Sequence, residues 1–278
     1  MVLHFLCVSR SLEEIVKVKT QVLLSVMDKD DELHYVDMLN IKSDVLIINQ
    51  CGYRNNFQTS GRYGKIYVRE SDERGLSKSR NEALMYARSD TVIFCDNDVR
   101  YEDDAFKRID AAFERNPKAA VLVFFIERPE RKKPVYSSET VMDKVHMMKI
   151  FSPEIAVRKS LLGDLRLNEE FGAGAKYSMG EENIFLFEAK RRGLEIKYIP
   201  EKIATLLPVE SSWFKGYDEE FFFNRGAGYY AMDPKYWYPL AWQFLIRKRR
   251  LYSKDISMGA AYKSMLDGMR EYKETHES

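Results

Sequence analysis

Cysteine is scarce and unpaired in this chain: its 278 residues include only Cys7, Cys51 and Cys95, an odd number with no CxxC. A disulfide framework is thereby excluded and a reducing compartment expected, which makes the cytoplasm the default location. An excess of one charge is also missing, with 44 Lys+Arg against 43 Asp+Glu and a net +1. A general nucleic-acid binder, whose affinity rests on a basic surface, does not fit that balance. No apolar run reaches the roughly 20 residues of a membrane-spanning helix; the stretch 237–246 carries Pro239 and Gln243 inside it. Residues 1–9 lack the basic region and cleavage site of a signal peptide and read as a short buried strand. Proline and glycine are few, 8 and 14, and gather into no linker; no repeat recurs at a fixed period. Solenoids and long hinges between independent domains are therefore disfavoured. His4, His34, His146 and His276 are scattered without zinc-ligand spacing. No GxSxG occurs and no histidine neighbours Cys51 or Cys95, so nucleophilic hydrolysis has no visible machinery.

What is present is an alternation. Strand-like runs fall at 21–27, 44–50, 65–69, 91–95 and 119–126, rich in Val, Ile, Leu and Phe without strict period-two patterning. Such runs suit strands covered on both faces. Helical patterns lie between them at 31–39, 77–87 and 102–116, the last with Ala105, Phe106, Ile109, Ala112 and Phe113 in one apolar stripe and a stop at Asn116-Pro117. The pattern implies an α/β fold, a mostly parallel sheet flanked by helices, with ligands outside the carboxyl ends of the strands.

Two DxD triplets sit at such ends. Asp28-Lys29-Asp30 runs straight into a helical pattern, and a capping role accounts for it. Asp96-Asn97-Asp98 has richer surroundings. Upstream, Arg74-Gly75-Leu76-Ser77-Lys78-Ser79-Arg80-Asn81 opens a helix, with Ser79 and Glu82 spaced as a capping box. Helix amides together with Arg74, Lys78 and Arg80 suit an anion such as phosphate; a solvated cap is the plain alternative. Asp96 and Asp98 supply half of a site for a hard cation, Mg²⁺ or Mn²⁺, whose shell a diphosphate would complete.

These residues, in this order and spacing, resemble family 2 glycosyltransferases of the GT-A fold. The resemblance implies a nucleotide-sugar site on Arg74, Gly75, Leu76, Ser77, Arg80, Asn81, Asp96 and Asn97, with Asp96 and Asp98 on the divalent metal. It continues at Phe171-Gly172-Ala173-Gly174-Ala175-Lys176 and Gly180-Glu181-Glu182-Asn183, which look like the acceptor-side loop, with Gly172, Gly174 and Lys176 lining it. Family members commonly carry Gly-Glu-Asp there, with the Asp as general base. Here Glu182 takes that place, one methylene longer and of similar intrinsic pKa, and Glu181 remains a rival. A dinucleotide fold is rejected, because Tyr177 replaces the third small residue after Gly172 and Gly174. Gly226-Ala-Gly-Tyr-Tyr-Ala231 fits GxGxxA but lacks its strand-helix-strand setting.

Further along, Trp213 suits stacking on a sugar and Lys215 suits phosphate, in a loop that equally fits as a core anchor. Asn49 and Gln50 end the second strand and either touch the base or close a turn. Tyr236 to Ile246, running into Arg247-Lys-Arg-Arg250, suits a helix on an anionic membrane or one packed in a core or oligomer. The resemblance covers about 21–225. The expected organisation is a GT-A unit over 1–232, with 1–126 holding nucleotide-sugar and metal and 127–232 the acceptor, then a helical C-terminal extension over 233–278. The expected activity is inverting transfer from a nucleotide-diphosphate sugar, a UDP-sugar, to a glycan or lipid-linked glycan. The protein would be cytoplasmic or peripheral on the inner face of the membrane. The alternatives are a sugar nucleotidyltransferase and a non-catalytic membrane- or glycan-binding module; the first lacks its Gly-rich signature in 1–30, and the second has no use for paired aspartates.

Overall fold

The five apolar runs all become strands of one sheet, where helices on both sides take their hydrophobic faces out of water. The computed structural model describes residues 18–28, 31–208, 214 and 216–276; the expected strand at 1–9 lies outside them. In chain order the strands are β1 (Gln21–Val26), β2 (Val45–Asn49), β3 (Asn55–Ser60), β4 (Lys65–Glu70), β5 (Thr91–Cys95), β6 (Val99–Tyr101), β7 (Ala119–Glu127), β8 (Thr140–Val141), β9 (Ile155–Arg158) and β10 (Glu195–Leu206). The helices are α1 (His34–Met38), α2 (Leu76–Tyr86), α3 (Ala105–Arg115), α4 (Lys144–Met147), α5 (Lys159–Leu162), α6 (Glu181–Arg191), α7 (Glu219–Met232), α8 (Trp237–Arg247), α9 (Arg249–Tyr252) and α10 (Met258–His276).

One sheet runs β3-β4-β2-β1-β5-β9-β7-β10-β6, with β8 beside β10. The β4-β2-β1-β5 block is parallel, with Leu23 standing between Leu46 and Phe94. Alternation sends Leu23, Leu46, Ile48 and Phe94 into the core shared with α2, α6 and α7, and Val22, Leu24, Val45, Ile47 and Ile93 into the core shared with α3. The stripe expected on α3 is buried in full: Ala105, Phe106, Ile109, Ala112 and Phe113.

Two departures from the sequence reading bear on the site. Helix α1 starts at His34 rather than Asp31, and Asp28 and Asp31 bond the amides of Asp31 and Leu33 in a turn before it, so neither caps the helix. The Ser79/Glu82 capping box does not form, because α2 begins at Leu76. That puts Ser79 inside the helix, where its hydroxyl donates to Ser25 Oγ at 2.8 Å, while Glu82 pairs with Arg69 at 3.0 Å. The expected C-terminal helices are present and pack on the main core: Ala261, Met265 and Met269 of α10 join Phe222 and Ala227 of α7. Gly226 explains how. A Cβ there would lie 2.0 Å from the Met265 carbonyl oxygen, and one on Gly268 2.0 Å from that of Phe223. Gly226 of the GxGxxA pattern is thus a helix-crossing contact and Gly228 faces Phe171 and Met179, in keeping with rejection of a dinucleotide fold.

Candidate active site

Asp96, Asn97 and Asp98 follow β5 and precede β6, where the Asp98 carbonyl accepts the Leu207 amide at 2.7 Å. Burial, then the charge of neighbouring Asp96, raises the Asp98 pKa to about 6. Two crowded carboxylates with excess negative charge are a donor set that fits Mg²⁺ or Mn²⁺. Among the described residues no cluster of three or more His, Cys, Asp or Glu is placed to hold a metal. A cation held there would take two carboxylates from the chain and the rest of its shell from ligand oxygens.

Arg80 departs from the phosphate-facing place expected of it. Its guanidinium is 1% exposed, donates from Nη2 to Asp96 Oδ1 at 2.7 Å and from Nη1 to Glu181 Oε1 at 2.9 Å. Burial works against its charge, but Asp96 and Glu181 outweigh burial and the net pKa is raised. One buried cation thus joins the end of β5 to the start of α6. Arg74, by contrast, stays exposed, with Nη1 against Met27 Sδ, and Lys78 lies 3.5 Å from Glu73. These two are the cations that remain open at this end of α2.

The α2 turn is docked onto the glycine loop. The Leu76 amide donates to the Ala173 carbonyl at 2.9 Å and Ser77 Oγ to the Phe171 carbonyl at 2.6 Å. The Gly75 amide, at φ +128°, donates to Gln50 Oε1 at 2.7 Å. Two of the amides expected to be open to an anion are therefore occupied. Gly172 has φ +104°, and a Cβ there would come within 3.2 Å of both the Glu181 carboxyl carbon and Ser77 Oγ; Gly174, at φ +79°, faces Gly75. Only glycine combines that backbone with that approach.

Several expected ligand residues turn out to hold the frame. Asn81 exchanges bonds with the Leu167 backbone and reaches Glu169. Asn49 grips both backbone groups of Asp28. Lys176 pairs with Glu271 of α10 at 2.7 Å, away from the glycine loop's inner edge. Exposed Asn97 bonds the Tyr35 hydroxyl, which also interacts with Asp28. Trp213 and Lys215 lie outside the described residues.

Glu181 and Glu182 open α6 behind Gly180, a left-handed N-cap. Glu181 is 6% exposed and committed to Arg80, whereas Glu182 is half-buried. Burial first, and the Glu181 charge second, raise the Glu182 pKa well above the usual carboxylate range. The two candidates are thus separated: one is an ion-pair partner, the other a carboxyl with an elevated proton affinity. Arg225, which no sequence signal marked, lies against this loop with Nη2 near Met179 Sδ, and Asn224 donates to Ser178 Oγ. A cavity of about 540 Å³ runs along α2 past Arg69, Lys78, Tyr86 and Glu169, to one side of Asp96. Two of the histidines serve locally: His146 meets Asp143 and His276 meets Glu170.

Comparison with known proteins agrees with this arrangement. The Glycosyl transferase family 2 model matches residues 53–178, which include the α2 turn, the Asp96–Asp98 triplet and the glycine loop. No curated protein matches the sequence. Among solved structures, S. aureus TarS 1–349 in complex with UDP-GlcNAc is similar at TM-score 0.57 and 15% identity, over 77% of this chain and 66% of that one. The same fragment in complex with UDP gives 0.54 and 13%, over 92% and 72%. A longer S. aureus TarS chain gives 0.55 and 14%, and there this protein covers 93% of itself but 44% of the other. Identity this low establishes the fold, a GT-A fold, and residues 53–178 carry the match to the family 2 glycosyltransferases.

Proposed function

We propose that this protein transfers a sugar from a nucleotide-diphosphate donor, a UDP-sugar, to a hydroxyl of a glycan or lipid-linked glycan, with inversion at the anomeric carbon. The observation that carries the reading is Arg80, whose paired contacts hold the Asp96 end and the Glu181–Glu182 end within one guanidinium of each other. UDP-GlcNAc and UDP in the TarS complexes support a uridine nucleotide as donor. Asp96 and Asp98 would hold Mg²⁺ or Mn²⁺, which when bound neutralises charge on the leaving diphosphate. Arg74 and Lys78 meet the same charge from the α2 turn. Glu182 accepts the acceptor proton as the hydroxyl oxygen attacks the anomeric carbon from the side opposite the nucleotide. Glu181, held by Arg80, positions α6 rather than moving a proton.

Calorimetry with UDP tests this directly. Binding is expected with Mn²⁺, lost in EDTA, and lost in Asp98→Ala at unchanged melting temperature. If the folded wild type binds no uridine, guanosine, cytidine or thymidine nucleotide with metal, the transferase reading fails.

A further inference from the structure

Helix α8 buries Trp237, Ala241 and Leu245 in the core. About 100° round the helix from that row, Tyr238, Trp242 and Ile246 recur every fourth residue and are 49%, 41% and 65% exposed, with Trp242 also resting against the Tyr262 ring of α10. At 1.5 Å per residue they form a stripe about 12 Å long. Leu251 prolongs the apolar surface at 52% exposure. Single exposed apolar residues are ordinary, but an aromatic and aliphatic row on one face is not.

Immediately after the stripe come Arg247, Lys248, Arg249 and Arg250, all exposed. None of the four has a carboxylate within ion-pair reach among the described residues, although basic residues over the rest of the surface are repeatedly paired, as in Lys42–Asp103, Arg115–Glu139 and Lys202–Glu127. Four adjacent cations without counter-charges, beside an amphipathic face, complement a surface that is apolar within and anionic at its rim.

We propose that this face docks the protein on an anionic phospholipid bilayer, with Tyr238, Trp242 and Ile246 at the headgroup boundary and residues 247–250 on the phosphates. Eleven residues are too few to span, and no helix among the described residues is long and apolar enough to cross a membrane, so α8 lies on the surface. A second copy of the chain is a poor occupant, since it could cover the stripe but would bring the four cations no anionic surface. The docked face is mechanically close to the site. Phe244 of α8 lies under the Arg225 guanidinium at 4.4 Å, and neighbouring Asn224 holds Ser178, just before Gly180 and Glu181. The docking itself does not depend on the proposed transferase reaction.

Vesicle flotation of the full chain decides it, using phosphatidylcholine alone and phosphatidylcholine mixed with phosphatidylglycerol, at low and high salt. The protein is expected to float with the anionic mixture at low salt only. Arg249→Gln with Arg250→Gln is expected to weaken that binding roughly thirtyfold, about 1 kcal/mol per cation. Tyr238→Ser with Ile246→Ser is expected to weaken it too, and both variants should keep the wild-type melting temperature and UDP binding. Absence of wild-type protein from anionic vesicles, equal binding by both variants, or a solution dimer that Ile246→Ser dissolves would each overturn the proposal. Loss of UDP binding in the wild type would instead strike the transferase reading and leave this one standing.

Discussion

Arg80 illustrates how a residue's type is visible in sequence while its task is not. Arginine in a turn near an acidic triplet suits phosphate, yet this guanidinium is spent on Asp96 and on Glu181, the latter 101 residues away. A pairing across such a separation leaves no local trace in the chain. Because the group is almost wholly buried, Arg80→Met would strand two negative charges, and breaking a buried pair costs about 3–5 kcal/mol. Chemical denaturation should read that loss, with Arg80→Lys intermediate because an ammonium lacks the fork that serves both partners; an unchanged midpoint for Arg80→Met would refute the bridge. Glu182 invites a kinetic test. Glu182→Gln keeps the shape and removes the base, so turnover should fall about 10²–10⁴-fold with donor affinity intact. Its carboxyl is held protonated above the ordinary glutamate range by burial and by Glu181. Only the ionised form accepts a proton, so kcat/KM should rise as pH climbs through that raised pKa and level off above it. Glu181→Gln removes a repelling charge and should shift this acid limb to lower pH; an unmoved limb would detach Glu181 from the titration.

Among elements, the pair α7 and α10 shows what glycine is for when no turn needs it. Gly226 and Gly268 let the two backbones touch, since a Cβ on either would sit 2.0 Å from a carbonyl oxygen. Gly226→Ala should destabilise by at least the roughly 1–3 kcal/mol of an overpacked core, because backbone cannot swing aside as a side chain does. Gly259 lies in the same α10 with nothing within 4 Å of its would-be Cβ. Gly259→Ala should therefore stabilise by about 0.5–1 kcal/mol through helix entropy alone. Opposite signs for Gly226→Ala in α7 and Gly259→Ala in α10, read by denaturant midpoints, check the crossing; two stabilising substitutions would contradict it. Elements were legible in the chain where one force dominated. The parallel strands β1, β2, β5 and β7 announce themselves because burial on both faces demands unbroken apolar runs, and α3 because its stripe is complete. Strand β3 was hidden because it is a polar edge, Asn-Asn-Phe-Gln-Thr-Ser, exposed at nearly every position. Strand β10 was hidden because Pro200 and its register shifts break the pattern. Of the site, the triplet and the α2 turn could be read from local spacing and the glycine loop from the family resemblance, whereas which of Glu181 and Glu182 pairs with Arg80 left no trace in the chain.

At the scale of the whole molecule, the parallel block that ends in Asp96–Asp98 and the later half that carries Glu181–Glu182 are tied at several points. Arg80 bridges them, the α2 turn bonds the glycine loop at Ala173 and Phe171, and Asn81 clasps Leu167. Halves connected this closely should melt together, and a ligand held by either should protect both. A ligand that binds only the folded state adds about 2.7 kcal/mol at a hundredfold excess over its Kd. For a chain of this size each kcal/mol moves Tm by about 2–4 °C. Saturating UDP with Mn²⁺ is therefore expected to raise a single calorimetric transition by about 5–10 °C, EDTA to return it to the ligand-free value, and Asp98→Ala to show no shift. The shape of the transition carries as much information as its position. Should the trace split, with one component rising and the other fixed, the donor and acceptor halves would be independent units, and Arg80 would be a local ion pair rather than the tie between them.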